Sequence, residues 1–185
     1  MNPDELRVLS IAQKITSWFS SKLYYCIGKN YQRGWTVKRG EVFFVDLGQN
    51  IGSEENKTRP VVVIQSDSYN FRSPVFTCAI ISSSSITIPD IQIPITGHYA
   101  YTDEKGRARQ LQGAVDLGQI KTVAKERIRT QRVCRLSQRE MNEIDSKLLN
   151  VLGLRNMLTS RDNTIASLQG KVTFLKSEIE RLTND

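Results

Sequence analysis

The segment GSEENKTRPVVVIQ, Gly52 to Gln65, joins a polar loop to a short apolar strand. Polar or small residues lead up to the Arg59–Pro60 step, and four β-branched apolar residues follow it. Proline restricts the residue before it to extended backbone angles. The apolar run is typical of a buried strand, which would anchor Pro60 in the core. The segment therefore predicts that one arginine is held rigidly at the end of a polar loop.

Short runs of apolar, β-branched or aromatic residues recur around this segment, with little helical pattern between them. Such runs at irregular short spacing predict a small antiparallel β-barrel. Pro89 and Pro94 fall inside one run and predict an edge strand or a kink there. The predicted strands are EVFFVDL (41–47), VVVI (61–64), FTCAII (76–81), ITIPDIQIPI (86–95) and RIRTQRVCRL (127–136), the last with its charges outward.

A helix is predicted to close this part of the chain. Ser137 and Glu140 have the spacing of a capping box, and Leu136 and Met141 that of a hydrophobic staple. Gly153 suits the C-terminal stop. The predicted buried stripe consists of Met141, Ile144, Leu148 and Val151.

Residues 2–29 carry apolar side chains at spacings of three, four or seven, which predicts an amphipathic helix. Asn2 suits the N-cap and Pro3 the first helical position, and the two acidic residues that follow suit the positive end of the helix dipole. We expect this helix to pack on its own domain or on a dimer mate. A membrane-surface or regulatory helix is the alternative. Residues 31–34 are predicted to form a linker.

Within residues 154–185, positions 165–182 carry an uninterrupted heptad pattern of about two and a half heptads. β-branched residues at a and leucine at d favour the pairing of two helices. The orientation stays open, because Lys171 would repel Lys176 in a parallel pair but could face Glu178 in an antiparallel one. The alternative is that the helix packs back on its own domain. The heptad residues are Ile165, Leu168, Val172, Leu175, Ile179 and Leu182.

The chain of 185 residues is basic, with a net charge of +7. Such a charge favours an anionic partner such as nucleic acid or a membrane surface. The window from Lys105 to Leu136 holds nine Lys or Arg against Asp116 and Glu126, so it carries the whole excess. Basic residues of this window are therefore candidates for phosphate contacts.

Other features of the composition disfavour several kinds of site and location. Three cysteines lie far apart without a C-x-x-C pair, which argues against a disulfide framework and favours a reducing cytoplasm. A single histidine, His98, disfavours zinc sites and histidine acid–base pairs. The N-terminus begins acidic, unlike a signal peptide, and no apolar run reaches the ~20 residues of a membrane span. We expect a cytoplasmic protein with no membrane span, metal or cofactor.

Ordered motifs between Lys38 and Ser84 resemble the toxin family called MazF, PemK or Kid. The family's R-G-[DE]-[VI] strand matches residues 39–42, and its G-S-E loop matches residues 52–54. Its R-P step, with an aliphatic strand and a Q-[ND]-D-like ending, matches residues 59–67. A [SP]-P step and an apolar strand ending in Thr or Ser follow at residues 73–82.

A weaker resemblance to the same family lies further along the chain. The segment LGQIKTVAKERI (117–128) is similar to the family's EQIRTIDKQRL segment, and the family also has the capped helix that follows. The resemblance thus covers residues 37–152 and leaves out both end helices.

This resemblance implies a small β-barrel that forms a homodimer, cuts single-stranded RNA without a metal and is held inactive by an antitoxin. On matching positions it implies that Arg59 is the catalytic arginine and Ser82 the catalytic hydroxyl, where the family usually has threonine. A serine run leaves open whether Ser82 or a neighbouring serine supplies that hydroxyl. Gln119 matches a glutamine that assists at the site. Gly118 stands where members often have Glu, so that carboxylate is absent here.

The loop and the basic window together predict which residues contact RNA. The polar loop, residues 50–58, is predicted to fold over the substrate as a mobile cover. Glu55 is interpreted as solvated. Four aromatic residues are candidates for base stacking, with packing in the fold as the alternative. The predicted RNA-binding residues are Ser53, Glu54, Lys57, Thr58, Arg107, Arg109 and Lys121, and the aromatic candidates are Tyr69, Phe71, Tyr99 and Tyr101.

The sequence as a whole predicts a mainly β, α+β chain in three parts. Residues 1–35 are the N-terminal amphipathic helix and linker, residues 36–153 a MazF/CcdB-like, SH3-like barrel, and residues 154–185 a coiled-coil helix that extends a homodimer or builds a higher oligomer. The predicted function is a toxin-type endoribonuclease that leaves 2′,3′-cyclic phosphate and 5′-OH ends and is neutralised by an antitoxin or regulated by its own helices. The alternative is a non-catalytic, CcdB-like module that poisons DNA gyrase or another protein target.

Overall fold

The computed structural model describes residues 2–26, 36–83, 88–103 and 105–184. The elements of these ranges are α1 Pro3–Cys26, β1 Glu41–Asp46, β2 Thr58–Val63, α2 Asp67–Arg72, β3 Val75–Ser82, β4 Gln92–Pro94, β5 Ala100–Thr102, β6 Ala108–Gln110, β7 Ala114–Ala124, a 3-10 turn Lys125–Arg127, β8 Cys134–Arg135, α3 Gln138–Val151 and α4 Arg155–Asn184. The predicted linker at residues 31–34 lies outside the described residues.

Six of the strands form one curled antiparallel sheet, a half-barrel, in the order β4-β7-β3-β2-β1-β8. Strands β5 and β6 form a separate antiparallel hairpin. The central strands β1, β2 and β3 come from the apolar runs of the sequence, because β-branched and aromatic residues suit a pleated, buried surface. The predicted mainly antiparallel α+β fold is confirmed.

Both faces of the sheet are buried, so the core has two halves. Val61 and Val63 of β2 pack on one face with Phe76 of β3. Val62 alternates to the other face, where Ile144 of α3 closes a second cluster. This alternation along β2 and β3 also decides which face the polar residues at the strand ends can reach.

Helix α3 begins and ends where the sequence predicts. The Ser137 side chain accepts from the Glu140 N–H while the Glu140 carboxylate accepts from the Ser137 N–H, which completes the capping box. At the other end Gly153 has a φ of 68°, and the next residue donates to the carbonyl of Leu149 at 2.8 Å. The staple residues and the predicted stripe pack on the core, Leu136, Met141 and Ile144 being buried and Leu148 and Val151 partly buried.

Glu140 also binds the segment that precedes β5. Glu140 Oε1 accepts from the backbone N–H groups of Thr96 at 2.9 Å and Gly97 at 3.1 Å. Glu140 Oε2 accepts from the Tyr99 hydroxyl at 2.5 Å. The residue is only 2% exposed, so this network is shielded from water. One carboxylate therefore joins the start of α3 to the chain that leads into the hairpin.

Two strands are shorter in the structure than the sequence predicted. The first was predicted at residues 86–95. Residues 84–87 lie outside the described residues, and the chain turns at Pro89 before it pairs. Only Gln92–Pro94 joins the sheet, along the first residues of β7. A proline cannot donate to a strand ladder, which accounts for the late start of the strand.

The second is the run at residues 127–136, of which only Cys134–Arg135 pairs with β1 as a strand. Ile128 makes an isolated bridge to Val45, and the chain then leaves the sheet edge. The backbone N–H of Phe44 donates to the Thr130 side chain at 3.2 Å instead of to a partner carbonyl. A side-chain oxygen thus replaces one bond of the ladder and interrupts the strand.

Helix α1 begins at Pro3, and the Asn2 side chain accepts from the Asp4 N–H at 3.1 Å, as an N-cap does. Its contact with the sheet is made through its second half. Trp18 packs on the chain after β1, and the Tyr25 hydroxyl donates to Asp46 at 2.6 Å. The rest of the apolar stripe is exposed, namely Val8, Leu9, Ile11, Ile15, Phe19 and Leu23.

Helix α4 runs on from α3 after the turn at Gly153. Its first residue, Arg155, bonds back to Ser146 and Asn150 of α3. The heptad side chains Ile165, Leu168, Val172, Leu175, Ile179 and Leu182 are all exposed. Packing of this stripe on its own domain is therefore not seen, and its pairing with another helix stays a prediction. Across the described residues, no helix has both the length and the apolar character needed to cross a membrane.

Candidate active site

Arg59 and Ser82 lie opposite each other at the ends of neighbouring strands. Strands β2 and β3 are antiparallel, with Val61 opposite Ile80. Continuing this register by two residues on each strand places Arg59 opposite Ser82. Because side chains alternate, both residues also project from the same face of the sheet. The strand pairing thus brings together the arginine and the hydroxyl that the sequence singles out.

The backbone of Arg59 is fixed as the proline step predicts. Arg59 lies inside β2 and pairs with Val45 of β1, so its conformation is extended. The following Pro60 pairs with Phe44 in the same ladder. The Arg59 side chain is 41% exposed, so a rigid backbone presents a guanidinium that a large ligand can reach.

The loop between β1 and β2 is closed at its base by two backbone hydrogen bonds. The Leu47 N–H donates to the Lys57 carbonyl at 2.8 Å, and the Lys57 N–H donates to the Gly48 carbonyl at 2.7 Å. Lys57 has a φ of 63°, a left-handed conformation that is uncommon for a residue with a side chain. Inside the loop, the Asn50 amide donates to the Glu55 carbonyl at 2.6 Å. These contacts give the loop a defined shape.

Glu55 joins the two predicted catalytic residues, which corrects its interpretation as solvated. The Arg59 Nε donates to Glu55 Oε2 at 2.7 Å, and the Ser82 hydroxyl donates to Glu55 Oε1 at 3.2 Å. The Glu55 side chain is only 18% exposed. The loop bends inward at this residue, so its carboxylate sits between a guanidinium and a hydroxyl.

Gln119 reaches the loop because β7 bulges. Ala79 of β3 pairs with Ile120, but the next residue, Ile80, pairs with Asp116. The intervening β7 residues, 117–119, are therefore extra and bend out of the ladder. In this position Gln119 Oε1 accepts from the Glu55 N–H at 2.7 Å, and Gln119 Nε2 donates to the Ser53 carbonyl at 3.4 Å. Gln119 thus braces the loop and does not touch Arg59 directly.

Gly113 packs closely against the backbone of Ser82. Gly113 has a φ of 111°, and a Cβ at this position would lie 2.1 Å from the Ser82 carbonyl oxygen. Both the backbone angle and the space therefore require glycine. The absence of a side chain lets the start of β7 approach the end of β3 closely, which fixes the position of Ser82.

A second ion pair ties the loop to β7. Lys121 Nζ lies 2.7 Å from Glu54 Oε2, and the lysine side chain is the less exposed of the two. Neighbouring glutamates of the loop therefore have different partners, since Glu55 turns toward Arg59 and Glu54 toward Lys121. Both predicted RNA-binding residues of this pair, Glu54 and Lys121, lie beside the Arg59 site.

Arg107 and Arg109 lie apart from that site. Both donate through Nε to Asp103, at 3.0 and 3.1 Å, on the β5–β6 hairpin. Backbone N–H donation from Arg107 is the largest of the effects that lower the pKa of Asp103 to about 2. The hairpin lines a cleft of about 590 Å³ that also includes Thr58. Because Thr58 alternates with Arg59 along β2, this cleft lies on the other side of the strand.

The four aromatic candidates divide into two groups. Tyr99 and Tyr101 are partly buried and pack against the core, and the Tyr101 ring lies 5.4 Å from that of Phe44. Tyr69 and Phe71 of α2 are exposed, at 70% and 78%. The packing alternative thus holds for Tyr99 and Tyr101, and the exposed pair keeps the stacking prediction.

Helix α1 reaches the base of the same loop. A Cβ placed on Gly48 would lie 2.6 Å from the Trp18 ring, so the indole rests directly on this glycine. Lys22 and Arg127 lie over the ring at 5.4 and 6.0 Å from its centroid. The N-terminal helix therefore packs where the loop leaves β1.

Other groups with catalytic potential lie elsewhere or are inert. The His98 ring pairs with Gln110 at 2.9 Å on the hairpin. Burial raises the pKa of the Cys78 and Cys134 thiols to about 12, so neither is a ready thiolate nucleophile. Among the described residues, no group of three or more His, Cys, Asp or Glu could hold a metal ion.

The comparison with protein families decides which family this geometry belongs to. The family model described as the PemK-like, MazF-like toxin of type II toxin-antitoxin systems matches residues 38–152. The chain belongs to this family. The matched range includes the loop, Arg59, Ser82 and Gln119, and it leaves out α1 and α4.

Two curated relatives within the PemK/MazF group are named as endoribonucleases. Endoribonuclease EndoA of Bacillus subtilis is 34% identical over 118 residues, which are 64% of this chain and 96% of the relative. Endoribonuclease MazF of Staphylococcus epidermidis is 33% identical over 120 residues, 65% of this chain and 94% of the relative. The fold is shared with the crystal structure of MazF from Deinococcus radiodurans, with a TM-score of 0.54 at 16% identity, over 64% of this chain and 98% of that one.

These comparisons confirm the predicted PemK/MazF family and the predicted endoribonuclease class. The gyrase-poisoning alternative is not favoured, because both relatives are named endoribonucleases. The roles of individual site residues stay predictions. The sequence revealed neither the contacts of Glu55 nor the close approach of Gly113. The strand that follows Gly113, β7, was not among the predicted strands.

Proposed function

We propose that this member of the PemK/MazF family is an endoribonuclease toxin that cuts single-stranded RNA, mRNA included, at short specific sequences without a metal ion. The family and the names of the two relatives support the reaction class. The observation that carries the proposal is that Arg59 and Ser82 both donate to one anionic group. Two donors that converge on a carboxylate are also suited to the oxygens of a phosphate.

In the proposed reaction the ribose 2′-OH attacks the adjacent phosphorus, and the bond from phosphorus to the 5′-oxygen breaks. The products are a 2′,3′-cyclic phosphate and a 5′-OH. Negative charge gathers on the phosphoryl oxygens in the transition state, where the Arg59 guanidinium stabilises it. The Ser82 hydroxyl, which has a single proton to donate, turns from Glu55 to the same oxygens and adds a second hydrogen bond. Gln119 acts by holding the loop through its bonds to Ser53 and Glu55.

The RNA-binding residues are proposed to act in two groups. Ser53 and Glu54 of the loop, together with Lys121, lie beside the Arg59 site and would contact the nucleotides next to the cut, while Lys57 and Thr58 at the end of the loop would contact the neighbouring part of the strand. Arg107 and Arg109 line the same cleft as Thr58, on the other side of β2 from Arg59, so they would bind phosphates further along the RNA. Base contacts by the loop would supply the sequence preference.

The partners and location of the chain are also proposals. The family description places these toxins in type II toxin-antitoxin systems, which supports an antitoxin protein as a partner. A homodimer, with residues 154–185 pairing further, fits the exposed heptad stripe of α4. A cytoplasmic location and the three-part division at residues 1–35, 36–153 and 154–185 stay predictions.

Cleavage of short single-stranded RNAs in the presence of EDTA tests this function. Purified wild-type protein should cut, and its products should carry cyclic phosphate and 5′-OH ends. Loss of a transition-state hydrogen-bond donor typically costs ~10²–10³ in rate, and Arg59→Ala should lose at least that much. Arg161→Ala on exposed α4 is the matched control and should keep the wild-type rate. Absence of cleavage by the wild type, or equal cleavage by Arg59→Ala, would overturn the proposal.

A further inference from the structure

Removal of the proton from the attacking 2′-OH needs a base, and the carboxylates beside the site differ in their contacts. Glu54 is paired with Lys121. Asp116 Oδ1 accepts from the Gly118 N–H at 2.8 Å, within the β7 bulge. Within the described residues, Glu55 is the one carboxylate bonded to both Arg59 and Ser82.

Glu55 is held in place from two sides. Its N–H donates to Gln119 at 2.7 Å, and its carbonyl accepts from Asn50 at 2.6 Å. Backbone contacts on both sides of the residue leave little freedom to the start of its side chain. A general base must stand within hydrogen-bond reach of the proton that it takes, so such positioning is the first requirement.

Arg59 can hold Glu55 and a phosphate at the same time. The contact with Glu55 uses Nε, and in the described part of the chain the two terminal nitrogens of Arg59 carry no hydrogen bond or ion pair. A guanidinium has five N–H donors in a planar fork, so the terminal edge remains for phosphoryl oxygens. Bound in this way, the phosphate lies beside the Glu55 carboxylate, and so does the 2′-OH of the ribose before it.

We propose that Glu55 is the general base of the reaction, an inference that rests on the proposed function. Glu55 accepts the proton of the 2′-OH as the 2′-oxygen forms its bond to phosphorus. The 5′-oxygen leaves with the electron pair of the broken bond and takes a proton from solvent. Glu55 afterwards returns its proton to solvent. This carboxylate belongs to the loop between β1 and β2. Strand β7 supplies none at the position before Gln119, because Gly118 stands there.

The rival role for Glu55 is that of an occupant which blocks the phosphate position until RNA displaces it. The two roles predict opposite effects of removing the charge. A missing base lowers kcat and leaves KM nearly unchanged, whereas a missing blocker lowers KM and leaves kcat unchanged or higher. Steady-state cleavage of one short RNA therefore separates them.

The test compares Glu55→Gln, Glu55→Asp and Glu55→Ala with the wild type. General bases typically contribute ~10²–10⁴ in rate, so kcat of Glu55→Gln should fall within that range, with Glu55→Asp between it and the wild type. Added formate should raise the rate of Glu55→Ala, because a small carboxylate can enter the space that the truncation leaves. Glu143→Gln changes a partly exposed glutamate of α3 that is paired with Lys147. This variant is the matched control and should keep the wild-type rate.

Binding of an RNA with a 2′-deoxy residue at the cut position is the second measurement. Each Glu55 variant should bind this uncleavable strand as tightly as the wild type does, which shows that its site is folded. Glu55→Gln that cuts as fast as wild type, or that gains rate through a lower KM, overturns the proposal. A wild-type protein that does not cut RNA would instead overturn the proposed function.

Discussion

Ser82 shows how much of the site depends on single atoms. Its position opposite Arg59 follows from the β2–β3 register, and the close approach of Gly113 fixes its backbone. Ser83, the first residue after β3, is exposed. Of the neighbouring serines within the described residues, Ser82 is thus the one whose hydroxyl reaches the Arg59 site.

Replacement of these serines should therefore have unequal effects. Ser82→Ala removes one donor from the phosphoryl oxygens and should lower kcat by ~10²–10³. Ser83→Ala is the matched control, because it removes the same atom from an exposed residue, and should keep the wild-type rate. Rates of single-turnover RNA cleavage measure both. Equal loss in the two variants would contradict the assignment of Ser82.

At this scale the sequence is informative where the chain is constrained by neighbours in sequence. Pro60 predicts the extended backbone of Arg59, and the strand that follows predicts its anchoring. Glu54 and Glu55 cannot be told apart in that way, because they are adjacent, identical and in a loop. Their different partners, Lys121 and Arg59, follow from the inward bend of the loop and the β7 bulge, which are properties of the folded sheet.

Among the elements, the junction of α3 with the hairpin segment is the most sensitive to acid. Burial disfavours the charged form of Glu140, but hydrogen bonds from Tyr99, Ser137 and the Thr96 backbone outweigh it and lower its pKa to about 2. The folded pKa thus lies below that of the unfolded chain. The resulting stabilisation is present above the unfolded value and is lost as the pH falls through the folded one.

Glu140→Gln should remove this pH-dependent stabilisation. At neutral pH the shift in pKa corresponds to at most about 3 kcal/mol of unfolding free energy. Urea unfolding should show Glu140→Gln less stable than wild type at pH 7, with the difference shrinking between pH ~5 and ~2. Glu143→Gln, from a partly exposed ion pair with Lys147, should show a difference of less than about 1 kcal/mol at every pH. A constant gap between Glu140→Gln and wild type would contradict the assignment.

The sequence predicted well the elements whose ends are set by neighbouring residues. It predicted less well the strands whose bounds depend on residues far away in the chain. The caps of α3 are short-range patterns, and all of them are present. The run at residues 127–136 has a strand-like pattern, yet Thr130 takes a ladder bond of β1 with its side chain. Such a replacement depends on where β1 lies, so the residues of the run alone cannot reveal it.

On the scale of the whole molecule, two helices leave apolar stripes in contact with solvent. The stripe of α4 is uninterrupted, and exposed apolar faces of this extent mark interaction surfaces. Two such helices that paired would bury the stripe against its own copy.

Charge introduced into this stripe should therefore reduce the mass of the protein in solution. The wild type should elute at a multiple of its chain mass of 21.0 kDa. Leu168→Asp combined with Leu175→Asp should lower that mass, because two buried charges oppose helix pairing. Ser167→Asp, which lies off the stripe, is the matched control and should leave the mass unchanged. Light scattering after size exclusion measures all three, and an equal mass for the double variant would contradict a higher oligomer built through α4.

The ion pairs around the site affect how strongly RNA binding depends on salt concentration. Lys121, Arg107 and Arg109 are each paired with a carboxylate of the protein, from Glu54 and Asp103. These carboxylates act as built-in counterions. RNA that displaces them releases fewer ions from solution. The association constant for RNA should therefore fall less steeply with salt concentration than the ~0.7 power per phosphate contact expected for single strands. A net charge of +7 thus attracts RNA from a distance, while affinity for the strand beside the site stays comparatively insensitive to ionic strength.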